Sequence, residues 1–247
     1  MDRNITPVIE GKSKKFFDNG DGTLTMVFKP HLRSVTSKRE GNIAGTDIER
    51  MLVNKMIFRE VEKAGIETHM LSAVLDADYG MKVVRTQTIP IEFICRYYAA
   101  GSIVRLYPSI VKPDMKFKYP LYKYDLKQDV SVADVDDPTL NESYIVGLEL
   151  MTEEQLCRAK HMLGSIGELV HGLLKKADMT LIDMKMEFGL LNSGDIVLID
   201  EISQDCIRAN DTSTWKPMTK DAYRNMESDE EVLEKYKEFR ERLSQVI

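Results

Sequence analysis

The chain has 247 residues, of which 43% are hydrophobic and 30% are charged, as is usual for a globular protein with a sizeable core. Its formal net charge of −6 argues against a nucleic-acid partner, and no apolar run approaches the ~18 residues of a membrane span. The three cysteines are isolated, without a CxxC pair, which argues against a disulfide framework or a zinc site. We therefore expect a cytoplasmic protein without membrane or nucleic-acid partners.

The N-terminal segment has the pattern of two strands joined by a glycine-rich turn, at Val8–Phe17 and Leu24–Phe28. The tripeptide Gly11–Ser13 inside the first strand is not a Walker A loop, because the upstream glycine of that motif would fall at Thr6. Two interpretations stay open. Either the glycine turn and Lys12 cover nucleotide phosphates, or this is an exposed basic hairpin.

A polar, irregular segment at Pro30–Gly45 is predicted to be a loop. Thr46–Glu49 has the pattern of a capping box, which predicts that a helix begins there and continues until Gly65. We expect this helix to be structural.

The segment Thr88–Pro90 is predicted to cross from one lobe to another, because proline ends sheet pairing and restricts the residue before it. We therefore expect two lobes, at residues 1–88 and at residues 89–247. Within the second lobe, Lys112–Tyr144 is predicted to be a long loop, a type of connection that often serves binding.

Small residues leading into Ser102 predict a helix start with Ser102 as its N-cap. Helix starts attract anions, and Arg96 and Arg105 flank this one. The pattern indicates either a phosphate site or an ordinary tight turn with surface arginines. Two more capping boxes, at Thr152–Gln155 and Ser228–Glu231, predict amphipathic helices farther along the chain.

The stretch Leu181–Arg208 is the centre of the sequence and contains a predicted hairpin, whose second strand is Ile196–Ile202. If Asn192–Asp195 closes a two-residue loop, equal counting along both arms places Glu187 opposite Asp200, with Lys185 on the same face. Two such close carboxylates repel unless a cation lies between them. The alternatives are a Mg²⁺ ion that carries nucleotide phosphates and a solvated hairpin face with a local ion pair.

Together these segments resemble the SAICAR synthetase (phosphoribosylaminoimidazole-succinocarboxamide synthase) family over nearly the whole chain. The combination of the AAGS, DxKxEFG and DEIS segments is specific, although none of them would be so alone. The stretches that carry the resemblance are Glu10–Lys14, Ala64–His69, Ile89–Glu92, Arg96 with Ala99–Ser102, Leu126–Asp129, Asp137–Glu142, Asp183–Gly189 and Asp200–Arg208.

The resemblance implies a two-lobed, ATP-grasp-like α+β fold of antiparallel sheets with flanking helices. In that fold, residues 1–88 would cover the nucleotide and residues 89–247 would bind ATP and substrate. It also implies an ATP- and Mg²⁺-dependent ligase of purine biosynthesis. The ligase would join the carboxylate of CAIR to the amine of L-aspartate and release SAICAR, ADP and phosphate. A homo-oligomer is compatible with the sequence.

The resemblance also implies roles for individual residues. Lys185, Asp183 and Asp205 would be catalytic, and Glu187 and Asp200 would hold Mg²⁺. The predicted ATP-binding residues are Gly11, Lys12, Lys14, Gln87, Thr88, Lys127, Lys185, Glu187 and Asp200. The predicted residues for the phosphorylated acid are Arg96, Ser102, Asp183, Asp205, Arg208 and Arg224.

Besides extra residues around Val130–Val135 in the Lys127 loop, two segments depart from the family pattern. Gln204 replaces a proline and Ala209–Asn210 replaces an apolar-tryptophan pair, while Pro30–Gly45 lacks an expected acid and carries extra basic residues. Treated as recognition loops, these segments favour an acidic amine, aspartate or another. The alternatives are a paralogous amide ligase with another carboxylate or acidic amine, and a nucleotide-binding module without turnover.

Overall fold

The computed structural model describes residues 6–34, 37–71, 80–127 and 137–247. Within these ranges the chain has an α+β architecture with antiparallel sheets and flanking helices. The strands are β1 Ile9–Glu10, β2 Lys14–Asp18, β3 Thr23–Phe28, β4 His31–Ser34, β5 Arg39–Asn42, β6 Gly80–Val84, β7 Gln87–Thr88, β8 Ile91–Tyr98, β9 Lys116–Leu126, β10 Thr139–Leu140, β11 Met179–Leu190, β12 Ile196–Ile199 and β13 Ile207–Asp211. The helices are α1 Thr46–Lys63, α2 Ser102–Leu106, α3 Glu142–Gly147, α4 Glu153–Lys176, α5 Asp221–Arg224 and α6 Asp229–Ser244.

The N-terminal sheet has the strand order β1-β2-β3-β6, with every pair antiparallel. Along β3, Leu24, Met26 and Phe28 are buried while the residues between them are half-buried. This period of two places one face of the sheet on the core. The predicted strand-turn-strand unit at the start of the chain is therefore confirmed.

The Pro30–Gly45 segment contains a β-hairpin, so the prediction of an irregular loop is wrong. Strand β4 pairs with β5, and its residue Leu32 packs with Tyr223 and Tyr236 in a small second hydrophobic cluster. The covering aromatic residues come from the C-terminal part of the chain. The local sequence therefore lacks the apolar pattern that marks a strand.

Helix α1 begins after Gly45, which has a left-handed φ of 93°, so Thr46 is inside the helix and not its cap. The hydroxyl of Thr46 donates a hydrogen bond to the carbonyl of Ile43, and the predicted capping box is wrong. The end of the helix agrees with the prediction, since Lys63 is its last residue and Gly65 follows with a φ of 79°.

The larger sheet has the order β10-β9-β8-β11-β12, and β11 pairs in addition with β7 and β13. Strand β9 occupies part of the segment Lys112–Tyr144, so the prediction of a long loop there is wrong in part. Val130–Val135 lies outside the described residues. Helix α4 packs on β11 and β8. The capping boxes at Thr152 and Ser228 are both present, which confirms the two predicted helix starts.

One hydrophobic cluster includes residues of both sheets, such as Met26 of β3 and Met186 of β11. Helix α1 contributes to this core and packs against α4 and α6. Strand β7 pairs with β11 at the predicted lobe boundary, and a division after residue 88 stays a prediction. Among the described helices, none has the length and apolar character needed to cross a bilayer.

Candidate active site

A cleft of about 650 Å³ is lined by residues of both sheets. Its walls combine an apolar portion, which includes Leu24, Val83 and Ile199, with a strongly charged portion. The predicted site residues that line it are Gly11, Lys12, Lys14, Thr88, Lys127, Lys185, Glu187, Asp200, Asp205 and Arg224. Those outside its lining are Gln87, Arg96, Ser102, Asp183 and Arg208.

Lys185 and Glu187 lie two residues apart on β11 and therefore point to the same face of the sheet. Glu187 is only 2% exposed, and each of its carboxylate oxygens accepts a hydrogen bond from a lysine. Lys185 Nζ lies 2.6 Å from Glu187 Oε1, and Lys127 Nζ lies 2.7 Å from Oε2. Lys185 also donates to Glu92 at 3.0 Å. The result is a compact array of two cations and two carboxylates.

Each charged group in this array shifts the pKa of its neighbour toward the charged form. Burial by itself would raise the pKa of Glu187, but Lys185 and Lys127 outweigh it and the pKa lies below its ordinary value. Burial would likewise lower the pKa of Lys185, whereas Glu187 and Glu92 hold it well above the ordinary value. At neutral pH the lysine is therefore cationic and Glu187 is anionic.

Across the β11–β12 hairpin Glu187 is opposite Ile199, so the predicted opposition of Glu187 and Asp200 is wrong by one residue. The turn has three residues between Leu191 and Asp195, and Gly194 has a left-handed φ of 89°. This matches a hairpin with a glycine bulge. The extra loop residue shifts the register and leaves Asp200 beyond the end of β12.

Asp200 is held by Lys14 and not by the hairpin. Its backbone has a φ of 65°, and its Oδ1 lies 2.6 Å from Lys14 Nζ. Lys14 also donates to Glu201 at 2.8 Å. The ammonium of Lys14 is thus buried within a carboxylate pair, although the sequence predicted that it binds ATP.

Oxygen ligands of the kind that Mg²⁺ prefers are present on Glu187 and Asp200, both in the cleft lining. Among the described residues, ligand atoms of Asp200, Glu201 and Cys206 lie within 4.8 Å of one another. Burial raises the pKa of the Cys206 thiol well above its ordinary value, so the sulfur stays protonated and is a poor ligand for a hard ion. The donor chemistry therefore fits Mg²⁺ through carboxylates.

A second group of charged residues begins on β8 and β11. Asp183 accepts hydrogen bonds from Arg96 at 2.9 Å and from Arg208 at 2.8 Å. Asp221 then pairs with both Arg208 and Arg224. Two carboxylates thus link the three arginines that were predicted to bind the acid. Of these arginines, Arg224 lines the cleft.

Ser102 is the first residue of α2, and the N-cap is Gly101. The prediction of Ser102 as N-cap is therefore wrong by one residue. A Cβ on Gly101, which has a φ of 63°, would lie 3.3 Å from Arg208 Nη1. The segment that carries Ser102 accordingly lies against the arginine group.

Asp205 lines the cleft and accepts hydrogen bonds from Lys220 and from the Tyr236 hydroxyl, each at 2.8 Å. Burial would raise its pKa, but Arg50 and Lys220 lower it overall. The residues that depart from the family pattern here, Gln204, Ala209 and Asn210, are buried, and a role for this segment in recognition stays a prediction. Gln204 donates to the backbone carbonyl of Tyr236 and so fastens this segment to α6.

Sequence reasoning missed four charged or polar residues at this site, namely Arg50, His69, Glu92 and Lys220. The available signal for Arg50 was the spacing of four between Thr46, Arg50 and Asn54, which places polar residues on one helical face. All three are fully buried. His69 lines the cleft and its Nε2 has no hydrogen-bond partner among the described residues.

Comparison with known proteins identifies the family of the chain. Residues 7–243 match the model of the SAICAR synthetase family. A phosphoribosylaminoimidazole-succinocarboxamide synthase from Methanoculleus marisnigri is 36% identical over 236 residues, which are 95% of this chain and 93% of that protein.

Two solved structures extend the similarity to the fold. The phosphoribosylaminoimidazole-succinocarboxamide synthase from Ehrlichia chaffeensis superposes with a TM-score of 0.88 at 28% identity, covering 98% of this chain and 99% of that one. A SAICAR synthetase in complex with ADP gives a TM-score of 0.87 at 26% identity, with 96% and 97% of the chains covered. The chain belongs to the SAICAR synthetase family and has its α+β fold.

Proposed function

We propose that this protein is the ATP-dependent ligase that joins the carboxylate of CAIR to the amine of L-aspartate, with release of SAICAR, ADP and phosphate. The observation that carries the proposal is the array of Lys127, Lys185 and Glu187 in one cleft with Lys12 and Asp200. Family membership and a relative solved with ADP support the same activity.

The nucleotide would occupy the part of the cleft that combines apolar walls with lysines. Lys12, Lys127 and Lys185 would face its phosphates, and Gly11, Gln87 and Thr88 would offer backbone groups along the turn and the crossover. Lys14 would act indirectly, because its ammonium holds Asp200 and Glu201.

Mg²⁺ would be held by Glu187 and Asp200, where it would offset the negative charge of the nucleotide phosphates. Both carboxylates are paired with lysines in the structure. The ion would therefore compete with these lysines for the carboxylates. Lys127 and Lys185 would turn toward the phosphates, while Lys14 would keep its bond to Glu201. That exchange keeps every buried charge compensated.

The chemistry follows from the charges in the cleft. A carboxylate cannot lose oxide directly, so transfer of the terminal phosphoryl group of ATP to the acid forms an acyl phosphate. The amine then attacks its carbonyl carbon and phosphate leaves. Lys185 is cationic and lies in the cleft, where it can offset charge on the phosphoryl group during transfer.

The phosphorylated acid would bind beside the arginine group. Arg224 and Arg96, with Arg208 and Ser102, would hold its phosphate, while Asp183 and Asp205 would orient the imidazole and carboxylate end. Asp183 already accepts from two arginines, which suits a role in fixing their side chains. Oligomeric assembly and a cytosolic location stay predictions.

One observation concerns the amine, and it fits aspartate as well as another acidic amine. His31 and Arg33 on β4 line the cleft and make contacts of 3.0 and 3.6 Å with Glu40. Arg39, by contrast, points to the C-terminal region, where it pairs with Asp229. The basic character of the hairpin thus reaches the cleft through Arg33, which suits an amine that carries carboxylates.

The test is ADP release by the purified protein with ATP, Mg²⁺ and CAIR, with and without L-aspartate, and then with a panel of acidic and neutral amines. We expect release to depend on both CAIR and an acidic amine, with aspartate the best. Lys185→Met should abolish it, while Lys160→Met, which removes an exposed lysine paired with Glu142, should not. ADP release with a neutral amine and none with aspartate would overturn the proposal.

A further inference from the structure

Arg50 on α1 is a fully buried cation that is not among the predicted site residues. Its Nη2 donates to Glu201 Oε1 at 2.5 Å and its Nε donates to Oε2 at 3.2 Å, so the guanidinium holds the carboxylate with two parallel bonds. A third bond goes from Nη1 to the carbonyl of Lys29 at 3.1 Å. This bidentate geometry fixes the direction of both side chains.

The same guanidinium also faces a second carboxylate. Arg50 Nε lies 3.8 Å from Asp205 Oδ1, while Asp205 itself accepts hydrogen bonds from Lys220 and Tyr236. The ring of Phe28 lies beneath the guanidinium at 5.3 Å from its centroid. The guanidinium of Arg50 therefore lies between Glu201 and Asp205, and the surrounding contacts restrict its movement.

These contacts complete an alternating series of charges along the floor of the cleft. In spatial order the series is Asp200, Lys14, Glu201, Arg50, Asp205 and Lys220. Each interior member touches one opposite charge on either side. A displacement of any member leaves a buried neighbour under-compensated, which is costly in a low-dielectric environment.

The two ends of the series belong to different ligands in the proposed function. Asp200 is the carboxylate proposed for Mg²⁺ and the nucleotide, whereas Asp205 is proposed to orient the phosphorylated acid. We propose that Arg50 is a positioning residue that couples the nucleotide and acid sites. A cation at Asp200 competes with Lys14 and moves its ammonium toward Glu201, which weakens the Arg50–Glu201 bonds. The guanidinium then closes its 3.8 Å distance to Asp205 and fixes that carboxylate in the orientation that the acid needs.

This inference rests on the proposed function and makes a claim beyond it, because coupling between sites is reciprocal. If a Mg²⁺-bound, non-hydrolysable ATP analogue tightens the acid, the acid must tighten the analogue by the same factor. A residue with a purely structural role would change stability and leave that factor untouched. The coupling factor is therefore the quantity to measure.

The experiment is titration calorimetry of CAIR with and without the analogue, and of the analogue with and without CAIR. For the wild-type protein we expect a reciprocal factor of ~5 or more, the lower end for allosteric coupling. In Arg50→Met the factor should fall to about one, and in Arg50→Lys it should fall in part, because an ammonium cannot bond both carboxylate oxygens in parallel.

Glu49→Gln is the matched control, since the neighbouring Glu49 on α1 makes a partly buried ion pair with Arg240 of α6 instead of a cleft residue. It should retain the full factor. If Arg50→Met does not fold, the double variant Arg50→Met/Glu201→Gln removes both charges and should also lack coupling.

The outcomes separate the inference from the proposed function. Wild-type protein that binds both ligands without coupling, or Arg50 variants that retain the full factor, would overturn the inference and leave the function standing. Wild-type protein that binds the analogue but not CAIR would overturn the proposed acid substrate and, with it, the coupling.

Discussion

The Nζ of Lys14 lies 2.6 Å from the Oδ1 of Asp200, and this contact ties the N-terminal sheet to the end of strand β12. Lys14 is buried and its pKa is above the ordinary value, because Asp200 and Glu201 outweigh the effect of burial. The lysine is therefore a fixed cation that neutralises the carboxylate before any ligand arrives. A divalent ion at Asp200 has to compete with it, which makes affinity for the ion sensitive to this pair.

Glu187→Gln and Asp200→Asn should each lower turnover by ~100-fold or more, the scale of losing an electrostatic contact to a reacting group. The fold should remain intact, because each substitution preserves side-chain size. Steady-state ADP release and thermal unfolding would measure the two effects. Asp195→Asn, in the exposed loop of the same hairpin, is the control and should leave turnover unchanged. Full activity of either cleft variant would remove the proposed metal role.

Arg224→Ala should weaken binding of the phosphorylated acid by about 1.5–3 kcal/mol, the range for a hydrogen bond to a charged group. Nucleotide affinity should stay the same, since Arg224 belongs to the arginine group around Asp221. Calorimetry of each ligand separately would show this. Arg158→Ala removes an exposed arginine paired with Glu67 and should affect neither ligand. A loss of ATP affinity without a loss of affinity for the acid would show that Arg224 belongs to the nucleotide site.

Nucleotide binding should weaken at alkaline pH through Lys12. Partial burial lowers the pKa of this lysine from 10.5, and the nearby charge of Arg33 lowers it further. As pH rises through this lowered pKa, Lys12 loses its proton and its attraction for phosphates. Arg33→Ala should raise the pKa and move the alkaline limb to higher pH, as seen in nucleotide dissociation constants measured from pH 7.5 to 10. An unmoved limb would show that the two side chains do not interact.

His69 should make the metal-free protein less stable in acid. The residue is 4% exposed, and burial lowers its pKa from 6.5 to about 4, with the charge of Asp200 acting in the opposite direction. Between these values the unfolded chain binds a proton that the folded chain refuses, so stability falls as pH drops from 6.5 toward 4. The difference corresponds to ~3 kcal/mol when complete.

Urea unfolding of wild-type protein and His69→Gln at pH 7.5, 6 and 5 would measure this contribution. The stability lost by wild type relative to the variant should grow as pH decreases, because glutamine takes up no proton. Equal pH dependence of the two proteins would mean that His69 binds its proton as readily in the folded chain as in the unfolded one.

Features set by neighbouring residues could be predicted from the sequence. The capping boxes at Thr152 and Ser228, the end of α1 near Gly65 and the strand alternation around Glu187 all agree with the structure. Each of these depends on a periodicity, a cap or a turn residue within a few positions. The same local order of motifs was enough to indicate the family.

Features set by packing between distant segments could not be predicted. Arg50 and Glu201 are 151 residues apart in sequence, and Lys14 and Glu201 are 187 apart, so no local pattern states that they will pair. The strand β4 depends on aromatic residues of the C-terminal region, as does the burial of Gln204. One additional loop residue was enough to place Glu187 opposite Ile199 instead of Asp200. Successive residues of a strand point to opposite faces, so a shift of one position changes which side chains meet. The sequence by itself determined the elements and the chemical groups available for the cleft. Only the tertiary structure decided which charges meet there, because the cost of burying a charge depends on the partner that packing brings to it.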